Sequence, residues 1–275
     1  MLECRELTFR YPNGVSALNG VDFAVQPGES VAVVGQNGSG KTTLIKHFNG
    51  LLSPTSGVVL VKGRPIAGAE PADLATTVGL VFQNPADQIF QSKVEDEVAF
   101  GASRLGLTRE EVDERVSQAL AETGLSSVSA SHPYDLTLSE RKLLCFASVL
   151  AMKPEVIVLD EPTTAQDSLG VRQLVRIIGK LIGEGRTVIA VTHDMEFVAE
   201  VFARTVVMRE GRIVLDGPTS SVFQQRDVLE TAYVKPPSMG RLSQRLRLAE
   251  TVLTVDGLVA WVVGQVGHRL GRAPS

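Results

Sequence analysis

The segment Gly35-Gln36-Asn37-Gly38-Ser39-Gly40-Lys41-Thr42 constrains this chain more than any other. It fits the pattern G-x-x-x-x-G-K-[ST], follows the unbroken apolar run Ser30–Val34 and opens a helical segment that continues through Thr43. Glycines at this spacing let successive backbone N–H groups turn inward around a phosphate, and the positive end of the following helix adds to the attraction. Lys41 then reaches the β- and γ-phosphates, and the Thr42 hydroxyl supplies an oxygen to Mg²⁺. Gly35 through Thr43 are therefore candidate nucleotide-binding residues. A strand feeding such a loop is expected in a parallel sheet with helices on both faces.

Three more runs share the continuous, β-branched character of Ser30–Val34: Val78–Phe82, Val156–Leu159 and Thr187–Val191. Helical patterns fall between them. Thr108-Arg109-Glu110-Glu111 has the form of a capping box, followed on one face by Val112, Val116, Ala119 and Leu120. Leu143, Phe146, Ala147, Leu150 and Ala151 make a second stripe that stops before Pro154. Cys4–Arg10 and Val21–Val25 read as antiparallel strands joined through Tyr11-Pro12-Asn13-Gly14, and Thr205–Met208 with Arg212–Leu215 as a late hairpin. The sheet is expected to run from residue 1 to about 83 and to resume near 154. This predicts a discontinuous core (1–83 and 154–225), a helical insert (84–153) and a C-terminal extension (226–275). The extension carries Pro236-Pro237 and an Arg-rich helix in which Arg241 and Arg245 are read as a solvated face.

A second acidic element follows the third apolar run: Val156-Ile157-Val158-Leu159-Asp160-Glu161. Asp160, at the strand end, is placed for the Mg²⁺ shell, and Glu161 for polarising an attacking water. An N/T-K-x-D segment for guanine is not found, so ATP is the expected nucleotide.

Composition narrows the alternatives. The chain of 275 residues is 44% apolar and 21% charged, which excludes a disordered or fibrous whole. Its net charge of −4 and 5% aromatic content argue against a general nucleic-acid binder. Cys4 and Cys145 make no disulfide framework, so a reducing compartment is expected, with Cys145 as a small core residue. His47, His132, His193 and His268 offer no metal-ligand spacing. The N-terminus has charges where a signal peptide needs apolar residues, and Gly257–Gly264 is far shorter than the ~20 residues that cross a bilayer.

With these motifs in order, the chain resembles the ATPase subunits of ABC transporters over about residues 1–225. The resemblance implies an ABC-type P-loop α/β fold with an N-terminal antiparallel β region. It places Tyr11 where the family stacks an aromatic on adenine, and Gln83 at the glutamine that senses Mg²⁺ and the membrane partner. It matches Asp160-Glu161-Pro162-Thr163-Thr164-Ala165-Gln166-Asp167 to the metal strand plus the loop crossing the dimer interface, and His193 to the switch histidine. Glu161, His193, Lys41 and Gln83 are the implied catalytic group, with Thr42, Gln83 and Asp160 toward the metal.

One element departs from the pattern. The family signature, commonly L-S-G-G-Q, falls by spacing on Leu136-Thr137-Leu138-Ser139-Glu140. Thr137 keeps a hydroxyl in place of serine, and Ser139 replaces the second glycine. A reading that starts at Leu138-Ser139 leaves the following helix two residues short. Thr137, Ser139 and Glu140 are thus the implied contacts to ATP held by a second ATPase subunit.

Phe82-Gln83-Asn84-Pro85-Ala86-Asp87-Gln88-Ile89-Phe90 is similar to the stretch in energy-coupling-factor (ECF) and cobalt/nickel importer ATPases. That finer resemblance implies a pair of ATPase subunits beneath an integral membrane coupling protein and a substrate-binding membrane subunit. It implies import of a vitamin or transition-metal ion, a place on the cytoplasmic face of the membrane, and no nucleic-acid partner. The alternatives are the ATPase of another ABC importer, or a non-transport ABC protein acting on nucleic acid or ribosomes.

Overall fold

The strands β3 (Ser30–Val34), β7 (Val156–Asp160) and β8 (Thr187–Val191) are buried at every residue, which is why their sequences show no polar alternation. They lie at the centre of a six-stranded sheet ordered β10-β9-β3-β8-β7-β6, where β6 is Val78–Val81, β9 Arg204–Arg209 and β10 Arg212–Pro218. All neighbours pair in parallel except the β9–β10 hairpin at one edge. In this computed structural model the chain is described over residues 1–246, 248 and 251–270, with side chains through 264.

The N-terminal residues build a second sheet rather than extending the first, which corrects the expectation of one sheet over 1–83. Its order is β2-β1-β4-β5, from β1 (Leu2–Arg10), β2 (Ser16–Val25), β4 (Ser56–Val61) and β5 (Arg64–Pro65), all antiparallel. The alternation of buried and exposed residues along β2 marks a sheet covered on one face only. Of residues 1–83, only β3 and β6 join the parallel sheet.

Between the two sheets lies helix α1 (Lys41–Phe48), and its Leu44, Ile45 and Phe48 share one core with Leu7, Phe23, Val33 and Val158. Phe23 stacks on Phe48 with ring centroids 5.6 Å apart. The short α2 (Pro71–Leu74) precedes β6. Helices α3 (Val94–Ala102), α4 (Arg109–Thr123) and α5 (Leu138–Met152) connect β6 to β7. The capping box at Thr108 starts α4 as the sequence predicts. The stripe beginning at Leu143 extends back to Leu138, because Thr137 caps the helix there, and Lys153 ends it in a left-handed conformation before Pro154. Cys145 is a core residue of α5, its thiol pushed up to about 12 by burial.

Helix α6 (Ser168–Gly183) leads into β8 and α7 (Met195–Val201) into β9. Beyond β10 come α8 (Thr219–Val222), α9 (Arg226–Thr231), α10 (Ser238–Arg245) and α11 (Val255–Leu270). Arg241 and Arg245 are exposed on α10. The side chain of His268 lies outside the described residues. Among the described residues no helix is long and apolar enough to cross a membrane.

Candidate nucleotide site

The loop between β3 and α1 is shaped by backbone that other residues cannot adopt. Gly35 has φ +151, and a Cβ there would stand 2.2 Å from the Met208 carbonyl oxygen on β9. Gly40, at φ +102, would drive a Cβ to 2.5 Å from the Ala17 carbonyl oxygen on β2. Gly40 is also the N-cap of α1, so no side chain caps that helix, and its first turn holds no acid. Open N–H groups at a helix N-terminus attract anions. Asn37 and Gly38 are exposed at the tip of the loop, and Thr43 is buried in α1. Ser39 is buried, and its hydroxyl has no hydrogen-bond partner among the described residues.

Lys41 folds back over the loop, its Nζ donating to the carbonyls of Gly35 at 2.8 Å and Gln36 at 3.0 Å. Burial pushes its pKa down, while Glu161 and Asp160 oppose that shift. The Thr42 hydroxyl donates to Asp160 Oδ1 at 3.2 Å, joining the start of α1 to the end of β7. Burial raises the Asp160 carboxyl above its ordinary range, and the Thr42 hydrogen bond pulls the other way. Asp160 is thus a carboxyl held largely out of water beside the Thr42 hydroxyl. Thr42 and Asp160 present two hard oxygens, a donor set that fits Mg²⁺ completed by phosphate oxygens.

Glu161 follows at φ +49, a left-handed conformation that costs energy for a non-glycine residue. Several contacts hold it. Its N–H donates to the Val191 carbonyl at 2.8 Å, its carbonyl accepts from Lys142 Nζ at 2.8 Å, and its Oε2 lies 2.8 Å from His193 Nδ1. Lys142 is buried on α5, its pKa lowered by desolvation against the raising influence of Glu161. The sequence reading missed this residue. Its one available signal was a lysine within an otherwise buried stretch of helix.

A cleft of about 380 Å³ gathers Tyr11, the loop from Asn37 to Thr43, Gln83 and Glu161. The Tyr11 hydroxyl lies 3.0 Å from Thr43 Oγ1, and its ring meets Phe9 edge-on at 4.8 Å, which fixes an aromatic at the rim. Gln83 is exposed just beyond β6.

Thr137, Ser139 and Glu140 do not line this cleft. They form the first turn of α5, with the Thr137 hydroxyl accepting from the Glu140 N–H and the Glu140 carboxylate accepting from the Thr137 N–H. Ser139 Oγ donates to Gln166 Oε1 at 2.6 Å, and Gln166 Nε2 donates back to the Ser139 carbonyl at 3.3 Å. In the sequence Gln166 stands only within the loop Asp160–Asp167, with no role of its own. Gln88 was similarly unassigned. It accepts from Phe82 N–H and donates to the Cys145 carbonyl, both at 3.0 Å, tying the end of β6 to α5.

Residues 18–164 match the family described as ABC transporter. The ECF transporter ATP-binding protein EcfA of Methanocaldococcus jannaschii is 40% identical over 92% of this chain and 91% of its own length. Its counterpart in Methanothermobacter thermautotrophicus is 38% identical over 98% of this chain and 88% of its own. Among solved structures, cbiO1 of Clostridium perfringens, part of the ABC transporter complex cbiONQ, is 34% identical with TM-score 0.75, covering 90% of this chain and 98% of that one. The cassette MJ0796, a dimer in a post-hydrolysis state bound to ADP and phosphate, is 25% identical with TM-score 0.73 over 80% of this chain and 99% of its own.

Proposed function

Because the chain belongs to the ABC transporter family, as one of its ATP-hydrolysing subunits, we propose that it drives an ECF-type importer. It works as one of a pair of ATPase subunits, held at the cytoplasmic face of the membrane by an integral coupling protein and a substrate-binding membrane subunit. The vitamin or transition-metal ion that is imported is recognised by that last subunit. The observation that carries this reading is the extent of the similarity. It reaches past residue 164 to cover 98% of the chain, so the segment after β10 is shared with an ECF ATP-binding protein and not only the common cassette.

In this reading the loop from Gly35 to Thr43 binds the phosphates of ATP, Tyr11 packs on the adenine, and Lys41 leaves its two carbonyls for phosphate oxygens. Thr42 and Asp160, with Gln83, would hold a Mg²⁺ ion, which when bound would supply positive charge to the transferring phosphoryl group. Glu161 accepts a proton from the attacking water, with His193 holding the carboxylate in place.

A second cleft, about 590 Å³, supports a membrane partner. It is lined by Leu51, Leu80, Phe82, Phe90, Phe100 and Leu105 among others. Phe90 is 61% exposed and meets Phe100 edge-on at 4.6 Å, with the Arg104 guanidinium 4.3 Å from the centroid of the Phe100 ring. An apolar surface of this kind with a polar rim marks a docking site. Movement there reaches α5 through Gln88, and α5 reaches the Glu161 carbonyl through Lys142.

Affinity purification of the tagged chain from detergent-solubilised membranes tests the reading. Integral membrane proteins in fixed ratio to the chain are expected, with ATP hydrolysis in the purified complex. Recovery with RNA or ribosomes and no membrane protein overturns it.

A further inference from the structure

The loop between β7 and α6 carries strain at both ends. Glu161, at φ +49, and Ala165, at φ +60, are both left-handed although neither is glycine. Each end is fastened to α5. Lys142 Nζ donates to the Glu161 carbonyl at 2.8 Å, and Gln166, next to Ala165, exchanges two hydrogen bonds with Ser139. Ser139 and Lys142 stand three residues apart, so one face of α5 meets both ends of the loop. Between those ends the Gln166 N–H donates to the Thr163 carbonyl at 3.2 Å, and the Thr164 N–H to the Glu161 carbonyl at 3.3 Å. A shift at Gln166 therefore reaches Glu161 through two successive turns. The clasp at Gln166 also has a fitted socket. Its amide lies over Gly170 in the first turn of α6, where a Cβ would stand 1.9 Å from Gln166 Oε1 and 2.5 Å from Ser139 Oγ. Gly170 has no positive φ, so glycine supplies space there rather than backbone freedom. Gln166 itself does not line the Lys41 cleft, whereas Glu161 does.

Resting on the hydrolytic reading above, we propose that Gln166 is a positioning residue for Glu161. With Ser139 and Gly170 it anchors the far end of the loop, as Lys142 anchors the near end. Together they hold the strained backbone from which the Glu161 carboxylate enters the cleft of the same chain. Gln166 acts through the loop alone. Releasing it displaces the base and leaves the phosphate loop intact, and a displacement of about 1 Å at a reacting group is enough to slow chemistry.

The test compares Gln166→Leu, Gly170→Ala and the double variant with the unaltered chain. In the complex purified through the tagged chain, each single change is expected to lower ATP turnover by at least ~5-fold. The double change is expected to be no slower than the slower single one, because both remove the same clasp. ATP affinity, measured by equilibrium dialysis, is expected to stay unchanged. In the free full-length chain, with no second subunit present, hydrogen exchange at the Glu161 and Thr164 amides is expected to quicken by at least ~5-fold in each variant. Gly170→Ala keeps the fold, since it displaces only side-chain ends and alanine favours a helix over glycine. Unchanged turnover in both single variants, losses that multiply in the double variant, or exchange at Glu161 and Thr164 equal to that of the unaltered chain overturns the proposal. An unaltered chain that binds no ATP sinks the proposed function as well, whereas one that binds and hydrolyses ATP at the same rate in every variant sinks only this inference.

Discussion

Helices α1 and α5 each begin at a loop that the family resemblance assigns to phosphate, yet their first turns are opposites. The N-terminus of α1 starts on Gly40, has no side-chain cap and no acid, and carries Lys41. That of α5 starts on Thr137 and is capped in both directions by Glu140. A helix N-terminus leaves four N–H groups to be satisfied, and the first turn decides by what. Side-chain caps stabilise the fold by about 1 kcal/mol and make the end self-sufficient. An uncapped end forgoes that stabilisation and keeps its N–H groups for a ligand. On the proposed reading, the open helix end serves binding, while the closed one satisfies its own N–H groups.

Substitutions can break this contrast. Lys41→Ala removes the cation from the open end and is expected to weaken ATP binding by roughly 10²–10³-fold, the scale for truncating a buried charged contact. Calorimetric titration with ATP measures it, and near-native affinity would mean that the open turn is not the phosphate site. Glu161→Gln is expected to slow hydrolysis in the assembled complex by at least ~10²-fold while ATP still binds, because the carboxylate is assigned to water rather than to phosphate. Turnover close to wild type would move the base role, with His193 next in line.

Lys142→Met sharpens the comparison by showing what α5 does within its own chain. Loss of one charged hydrogen bond to the strained Glu161 backbone is expected to lower turnover by about 10-fold at unchanged ATP affinity, with Lys142→Arg recovering most of it. An equal loss in binding and turnover would instead point to general damage. The smallest effect belongs to the closed end. Thr137→Ala should cost about 1 kcal/mol of stability, seen as a melting temperature ~2–4 °C lower, and Thr137→Ser should not. ATP binding to the chain's own cleft is expected to be unaffected by either, and a drop would place Thr137 nearer the nucleotide than the structure does.

Much of the cleft was legible in the linear chain because its signals are local. The run Ser30–Val34 is buried on both faces and so carries no polar residue after its first, and the glycines of the loop stand where the backbone turns left-handed. Asp160 and Glu161 end a strand of the same character. The box at Thr108 could be read from four residues. The register of α5 could also be argued from spacing, and the N-cap falls on Thr137 as the longer helix requires.

Other features depend on partners far along the chain. The division into two sheets follows from β4 pairing with β1, in register from Leu2 with Val61 to Thr8 with Ser56, and nothing within Ser56–Val61 names that partner. Lys142 reads as the last of three successive charges, Glu140-Arg141-Lys142, until folding carries the Glu161 carbonyl, just after β7, to within 2.8 Å of the amine. Gln88 and Gln166 are ordinary polar residues until the packing of α5 brings Cys145 and Ser139 against them. Local patterns specify backbone that hydrogen-bonds to itself or turns sharply, because those constraints act between neighbouring residues. Which buried amine meets which carbonyl, and whether a helix end stays open, depends on distances that exist only once the core has closed.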